Sequence, residues 1–268
     1  MNKLSPVQRV SRGGLLLLAM VLLLAGSAYR PAAEREVYQL KIYHIKTQQQ
    51  EERVEAFLRD AFLPELRKLG VRKMGVFKPI GNDTATDRRV VVLIPYPSLA
   101  QLGRVTERLE QDVDFAKSSP AYWAAAHTDP PYTRLEVIQL ESFTEKLRLR
   151  EPRLQGPRAE RVYELRSYES ATEMQHRNKV QMFTQGGEIP LFERLGFNAV
   201  FYARVVAGSH MPNLMYLTTF ENQAARDEHW KSFGADPEWK KLSSLPEYQN
   251  NVSKNDKVFL RPTAYSDI

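Results

Sequence analysis

The residues best suited to chemistry lie in the stretch VYELRSY, residues 162–168. Read as a strand, its two-residue period sends Val162, Glu164, Arg166 and Tyr168 to one face and Tyr163, Leu165 and Ser167 to the other. Glu164 and Arg166 then stand about 7 Å apart on one surface, within reach of each other. A related stretch, VYQLKIY (37–43), places Lys41 and Tyr43 at the matching positions, with Gln39 where the later stretch has Glu164. Two kinds of chemistry fit these residues. In a structural network, Glu164, Arg166 and Lys41 satisfy one another, because buried charges need partners. In a ligand pocket, Arg166 grips an anionic or carbonyl group, Tyr168 and Tyr202 supply aromatic walls, and Glu164 orients Arg166 or takes a proton.

Much other chemistry is excluded by composition. The chain has no cysteine, which removes disulfides, thiol nucleophiles and thiolate metal sites. His44, His127, His176, His210 and His229 are scattered without the helical spacing that sets two ligands on one face, so no metal is expected. No nucleophile elbow, phosphate loop or dinucleotide fingerprint is present, and no cofactor is expected. Trp123, Trp230 and Trp239 fall in helical segments and read as core.

The elements that position the candidates come in two similar sets. LPELRKLG (63–70) is followed later by IPLFERLG (189–196), and VVVLIPY (90–96) by LMYLTTF (214–220), in the same order as the two opening strands. Such ordered recurrence argues duplication. Each copy reads as β-α-β-β-α-β. In the first, Val54, Phe57, Leu58, Phe62, Leu66 and Leu69 follow helical spacing and end at Gly70. Strands follow at 73–80 and 88–96 around a Gly81-Asn82-Asp83 turn, then a helix carrying Leu102, Val105, Leu109 and Val113, then a strand at 134–143. In the second copy Gly186-Gly187 predicts a helix break, and Asp236-Pro237 a helix restart with Asp as cap. Residues 144–160, rich in Pro and Arg, read as a linker between a first repeat at 37–143 and a second at 161–265. The apolar face of each opening strand is expected to pack on that copy's helices. The polar face is then expected to look across toward the other sheet.

Bulk properties narrow the partners. The 268 residues are 43% hydrophobic, enough for real cores. The net charge of +6 owes Lys3, Arg9 and Arg12 to the first 28 residues, which hold no acid. The remaining surface is mixed, so nucleic acid is not an expected partner. That basic start, the apolar run GGLLLLAMVLLLAG (13–26) and the small residues Gly26-Ser27-Ala28 predict a signal peptide over 1–28, cleaved after Ala28, and an exported, periplasmic or secreted protein. A membrane contact is expected only if this leader stays uncleaved. A small molecule or a protein is the expected partner, and self-association is compatible with the pattern.

The runs VYELRSY, PLFERLGF (190–197), LMYLTTF and HWKSFGADPEW (229–239) together resemble the NIPSNAP family. The resemblance covers nearly all of the second copy and is weaker in the first. It implies an α+β fold in which two tandem ferredoxin-like units close a dimeric α+β barrel within one chain. It brings no settled activity. Two functions therefore stay open: a non-catalytic binding or interaction module, or a cofactor-independent oxygenase or isomerase acting on a small carbonyl or aromatic compound in the barrel interior.

Overall fold

The computed structural model describes residues 34–144 and 146–268. The leader expected over 1–28 lies outside them. The first half begins with β1 (Val37–Ile45) and a helical run of α1 (Gln48–Phe57), a π-helical turn (Leu58–Phe62) and α2 (Leu63–Lys68). It continues with β2 (Gly75–Pro79), β3 (Arg88–Tyr96), α3 (Leu99–Gln111), α4 (Val113–Lys117), α5 (Pro120–Trp123) and β4 (Arg134–Ser142). The second half follows as β5 (Val162–Glu169), α6 (Glu173–Thr184), α7 (Glu188–Arg194), β6 (Asn198–Ala207), β7 (Asn213–Phe220), α8 (Gln223–Ala235), α9 (Pro237–Ser244) and β8 (Lys254–Pro262).

Local chemistry accounts for these boundaries. Thr47 and Gln50 form a capping box at the start of α1, satisfying backbone donors that the first turn leaves free. Ser98 and Asn222 accept from the backbone of Gln101 and Ala225 and so start α3 and α8 in the same way. Asp236 caps α9 with Pro237 at its first position, the restart expected from the sequence. Gly187 has φ +98°, a conformation open to glycine, and it separates α6 from α7 where the paired glycines predicted a break.

Antiparallel pairing closes the strands into a barrel of order β1-β3-β2-β8-β5-β7-β6-β4. Within each half the first strand lies between the third and fourth, β1 between β3 and β4 and β5 between β7 and β8. The halves join where β2 meets β8, with Phe77 opposite Pro262, and where β4 meets β6, with Leu140 opposite Val205 beside a register shift. Closure removes the unpaired edges that a shorter sheet would expose.

The interior of the barrel is where the sequence expectation reverses. Tyr38, Leu40, Leu93, Leu140, Tyr163, Leu165, Leu217 and Leu260, drawn from both halves, form one buried cluster. Tyr163 and Leu165 therefore face inward, and Glu164, Arg166 and Tyr168 face the helices outside. The physical reason lies in the size of the barrel, since eight strands leave an interior just wide enough to be filled by side chains. Apolar residues fill that space without needing partners. The charged residues go to the helical layer, where helix side chains can neutralise them.

Two ring pairs cross between the halves inside the barrel, Phe77 with Tyr163 at 4.9 Å and Tyr38 with Phe201 at 5.1 Å between centroids. A double-mutant cycle on Phe77→Leu and Tyr163→Leu is expected to show a coupling of about 1 kcal/mol by urea unfolding. Strict additivity would mean that the two rings do not meet across the barrel.

Candidate functional site

Glu164 is the centre of the second half's helical layer. It is fully buried. Strand β5 aims it outward, and α8 lays Arg226 and Trp230 over it, four residues apart on one helix face. Its Oε1 accepts from Arg166 Nε at 2.7 Å and Arg226 Nη2 at 2.9 Å. Its Oε2 accepts from Arg226 Nε at 2.8 Å and Trp230 Nε1 at 2.7 Å. The Arg166 guanidinium lies 3.5 Å from the centre of the Trp230 ring, a cation–π contact, and donates to the Tyr168 hydroxyl at 3.0 Å. Tyr168 in turn shares a 2.7 Å hydrogen bond with Tyr216. Burial pushes the Glu164 carboxyl up, but the hydrogen bonds and charges of Arg226 and Arg166 outweigh it and hold the group below the usual carboxylate range. Each charged group in this cluster has its partner within the chain.

The expected walls of a pocket around Arg166 are not arranged as walls. Tyr168 is a link in the hydrogen-bond chain. Tyr202 packs against Tyr216 and Phe192 in the same layer, with its hydroxyl buried and without a partner. Lys41 does not join Glu164 either. Strands β1 and β5 stand opposite each other in the closed strand order, and each turns its charged face outward to its own helices.

In the first half the same strand positions are occupied by Gln39, Lys41 and Tyr43. Tyr43 is buried and accepts from the Tyr122 hydroxyl at 3.4 Å. Lys41 is partly buried, its ammonium 5.0 Å from the centre of the Phe62 ring. Among the described residues it has no carboxylate or hydrogen-bond partner, and burial alone pulls its pKa down. It opens into a cavity of about 340 Å³, lined also by Gln39, Phe62, Tyr96, Leu109, Phe115 and Trp123. Counting from the caps explains the space. Arg226 and Trp230 lie four and eight residues beyond Asn222, and the residues four and eight beyond Ser98 are Leu102 and Thr106. Where the second half has an indole, the first has a threonine.

Further features shape this cavity. The π-helical turn Leu58–Phe62, a local distortion often found at functional sites, carries Phe62 at its end, over Lys41. Tyr96 is only 2% exposed, lines the cavity, and has a hydroxyl without a partner among the described residues. Gln139 stands opposite Gln39 in the ladder, outside the cavity lining, with its side-chain nitrogen buried without a partner. Trp123, expected in the core, is half-exposed at the cavity wall. The sequence reading missed Tyr96 and Gln139 because both sit in strands, and missed Arg226 with Trp230 because their helix spacing names no partner. Among the described residues no group of acidic or histidine side chains could hold a metal ion.

The sequence model of the NIPSNAP family matches residues 163–267. No curated protein matches the chain. Among solved structures, a Fusobacterium nucleatum protein provisionally described as a monooxygenase superposes with a TM-score of 0.56 at 7% identity, over 85% of this chain and 93% of its own. A Lactobacillus acidophilus protein of the same description gives 0.56 at 11% identity, over 85% and 94%. At these identities the likeness is one of fold. A NIPSNAP-like domain protein from Burkholderia xenovorans is 19% identical over 40% of this chain and 90% of its own, with a TM-score of 0.37.

Glu164→Gln is expected to lower the unfolding free energy at neutral pH by about 3 kcal/mol, since two arginines lose their buried anion. Because the folded pKa of Glu164 is depressed, its contribution is present above the unfolded carboxylate range and lost as pH falls through the folded value. The gap between wild type and variant, followed by urea unfolding, should therefore close toward acid. A gap that stays constant down to acid pH would remove Glu164 as its source.

Proposed function

Taking as premise that the chain belongs to the NIPSNAP family through residues 163–267, we propose that it is a non-catalytic binding module with one ligand seat, the cavity beside Lys41. The two halves are tandem copies of one ferredoxin-like unit in this reading. One copy keeps a closed internal network and the other keeps an open site. The observation that carries the proposal is the contrast at matched positions. In the second half every charge around Glu164 is answered by the chain itself. In the first half the cation is unanswered and faces a cavity.

The lining suits binding. A cavity of about 340 Å³ falls within the range of small-molecule sites, which combine apolar walls with a few placed polar groups. Phe62, Phe115 and Trp123 supply the walls. Lys41 and Tyr96 supply hydrogen-bond donors, and neither is paired with a base that would make it an acid–base couple. Glu110 also lines the cavity but is exposed on α3, at the rim.

A partly buried ammonium without a partner costs stability. Lys41→Met should therefore raise the unfolding free energy by about 1 kcal/mol, whereas Arg166→Met should lower it by about 3 kcal/mol. Thermal and urea unfolding of the two variants beside the wild type measure both. A loss in Lys41→Met comparable to that in Arg166→Met would make Lys41 a structural residue and overturn the assignment of the seat.

A further inference from the structure

We infer that the ligand of this cavity is a small monocarboxylic acid with a flat, ring-sized apolar body. The inference rests on the cavity beside Lys41 being the ligand seat, and it adds the chemical class.

The second half supplies the template. There the strand cation, Arg166, is covered by a carboxylate from Glu164 and by the face of an aromatic ring from Trp230. In the first half the strand cation remains as Lys41, while the carboxylate has become Gln39 and the ring has become Thr106. What is missing around Lys41 is thus a carboxylate and an aromatic plane. A molecule carrying both restores the arrangement that the fold completes internally on its other side.

The unpaired polar groups agree with that template. Lys41 offers an ammonium and Tyr96 a hydroxyl. Both can donate, and an ionised carboxylate accepts through both oxygens. A neutral carbonyl would accept these bonds but leave the ammonium unneutralised. Phe62 already lies against the ammonium, and Phe115 and Trp123 extend the aromatic wall for a ring.

The titratable groups lining the cavity are Lys41 from β1, Tyr96 from β3 and Glu110 from α3. Burial raises the Tyr96 pKa, which keeps its hydroxyl protonated as a donor. Exposed Glu110 disfavours a second negative charge near the mouth, which selects a monoacid over a diacid. Affinity for the acid falls as pH rises through the lowered pKa of Lys41, because the ammonium is then lost.

The test uses the full chain and two matched probes, 2-naphthoate and 2-naphthamide, titrated by calorimetry with tryptophan fluorescence as a second signal. Two variants accompany it, Lys41→Met to remove the ammonium and Thr106→Trp to fill the cavity without touching the donors. Naphthoate is expected to bind the wild type at least about ten-fold more tightly than the amide, the scale of one charge-assisted hydrogen bond. Lys41→Met should remove that preference, and Thr106→Trp should abolish binding of both probes. If acid and amide bind equally, and only Thr106→Trp matters, the cavity is the seat but the acid class is wrong. If naphthoate binds unaffected by Thr106→Trp, or neither probe binds at millimolar concentration, the inference fails together with the seat on which it rests. Circular dichroism melts of both variants separate loss of binding from loss of fold.

Discussion

Closing antiparallel strands into an eight-strand barrel leaves an interior with room for side chains and none for bulk water, and every other feature of this chain follows from that restriction. A strand in such a barrel has one face that must be apolar and well packed. Its other face can carry charge only where a second layer supplies partners. Tyr163 and Leu165 meet Phe77, Leu40 and Leu260 inside, so Glu164 and Arg166 must look outward. Their pairing then depends on what stands at the fourth and eighth residues after the cap of α8. Arg226 and Trp230 stand there, and the carboxylate is buried without being left unsatisfied.

The same restriction applied to the first half gives the opposite electrostatic result. Strand β1 also turns its charged face outward, but α3 presents Leu102 and Thr106 at the corresponding positions. Neither carries a charge that would neutralise a cation, and neither fills the volume of an indole. Lys41 is left beside a cavity, with Phe62, the last residue of the π-helical turn, 5.0 Å from its ammonium. A fully satisfied network rigidifies its surroundings, whereas a half-made one costs free energy until something completes it. The two layers are thus a completed and an uncompleted version of one arrangement.

Much of this architecture was legible in the sequence because it is encoded locally. Alternation marked β1 and β5, the Gly81-Asn82 turn separated β2 from β3, the paired glycines ended α6, and Asp236-Pro237 restarted the last helix. The side each strand face would take was not legible. A two-residue period separates two faces but does not say which is inside, and here both carry tyrosines: Tyr38 and Tyr163 point in, Tyr43 and Tyr168 point out. Lys41 and Arg166 were singled out, yet their common partner was sought across the barrel because helix residues such as Arg226 show no strand pairing in the sequence. Tyr96 and Gln139 escaped because a hydroxyl or amide without a partner becomes visible only when its neighbours are known.

The barrel also explains how one chain can hold both versions. A packed interior separates the two helical layers, so no side chain is shared between the Glu164 network and the Lys41 cavity. Substitutions that far apart, without common partners, act nearly independently on stability. The first layer can therefore lack a carboxylate and an indole at these positions while the second holds its charges. A single-layered fold would have to place the site and the stabilising network among the same residues. The fold itself does not dictate the chemistry, since the solved structures that share it are recognised by shape at 7% and 11% identity. The contrast between the two helical layers comes down to two side chains on α3, Leu102 and Thr106, and to what they fail to cover.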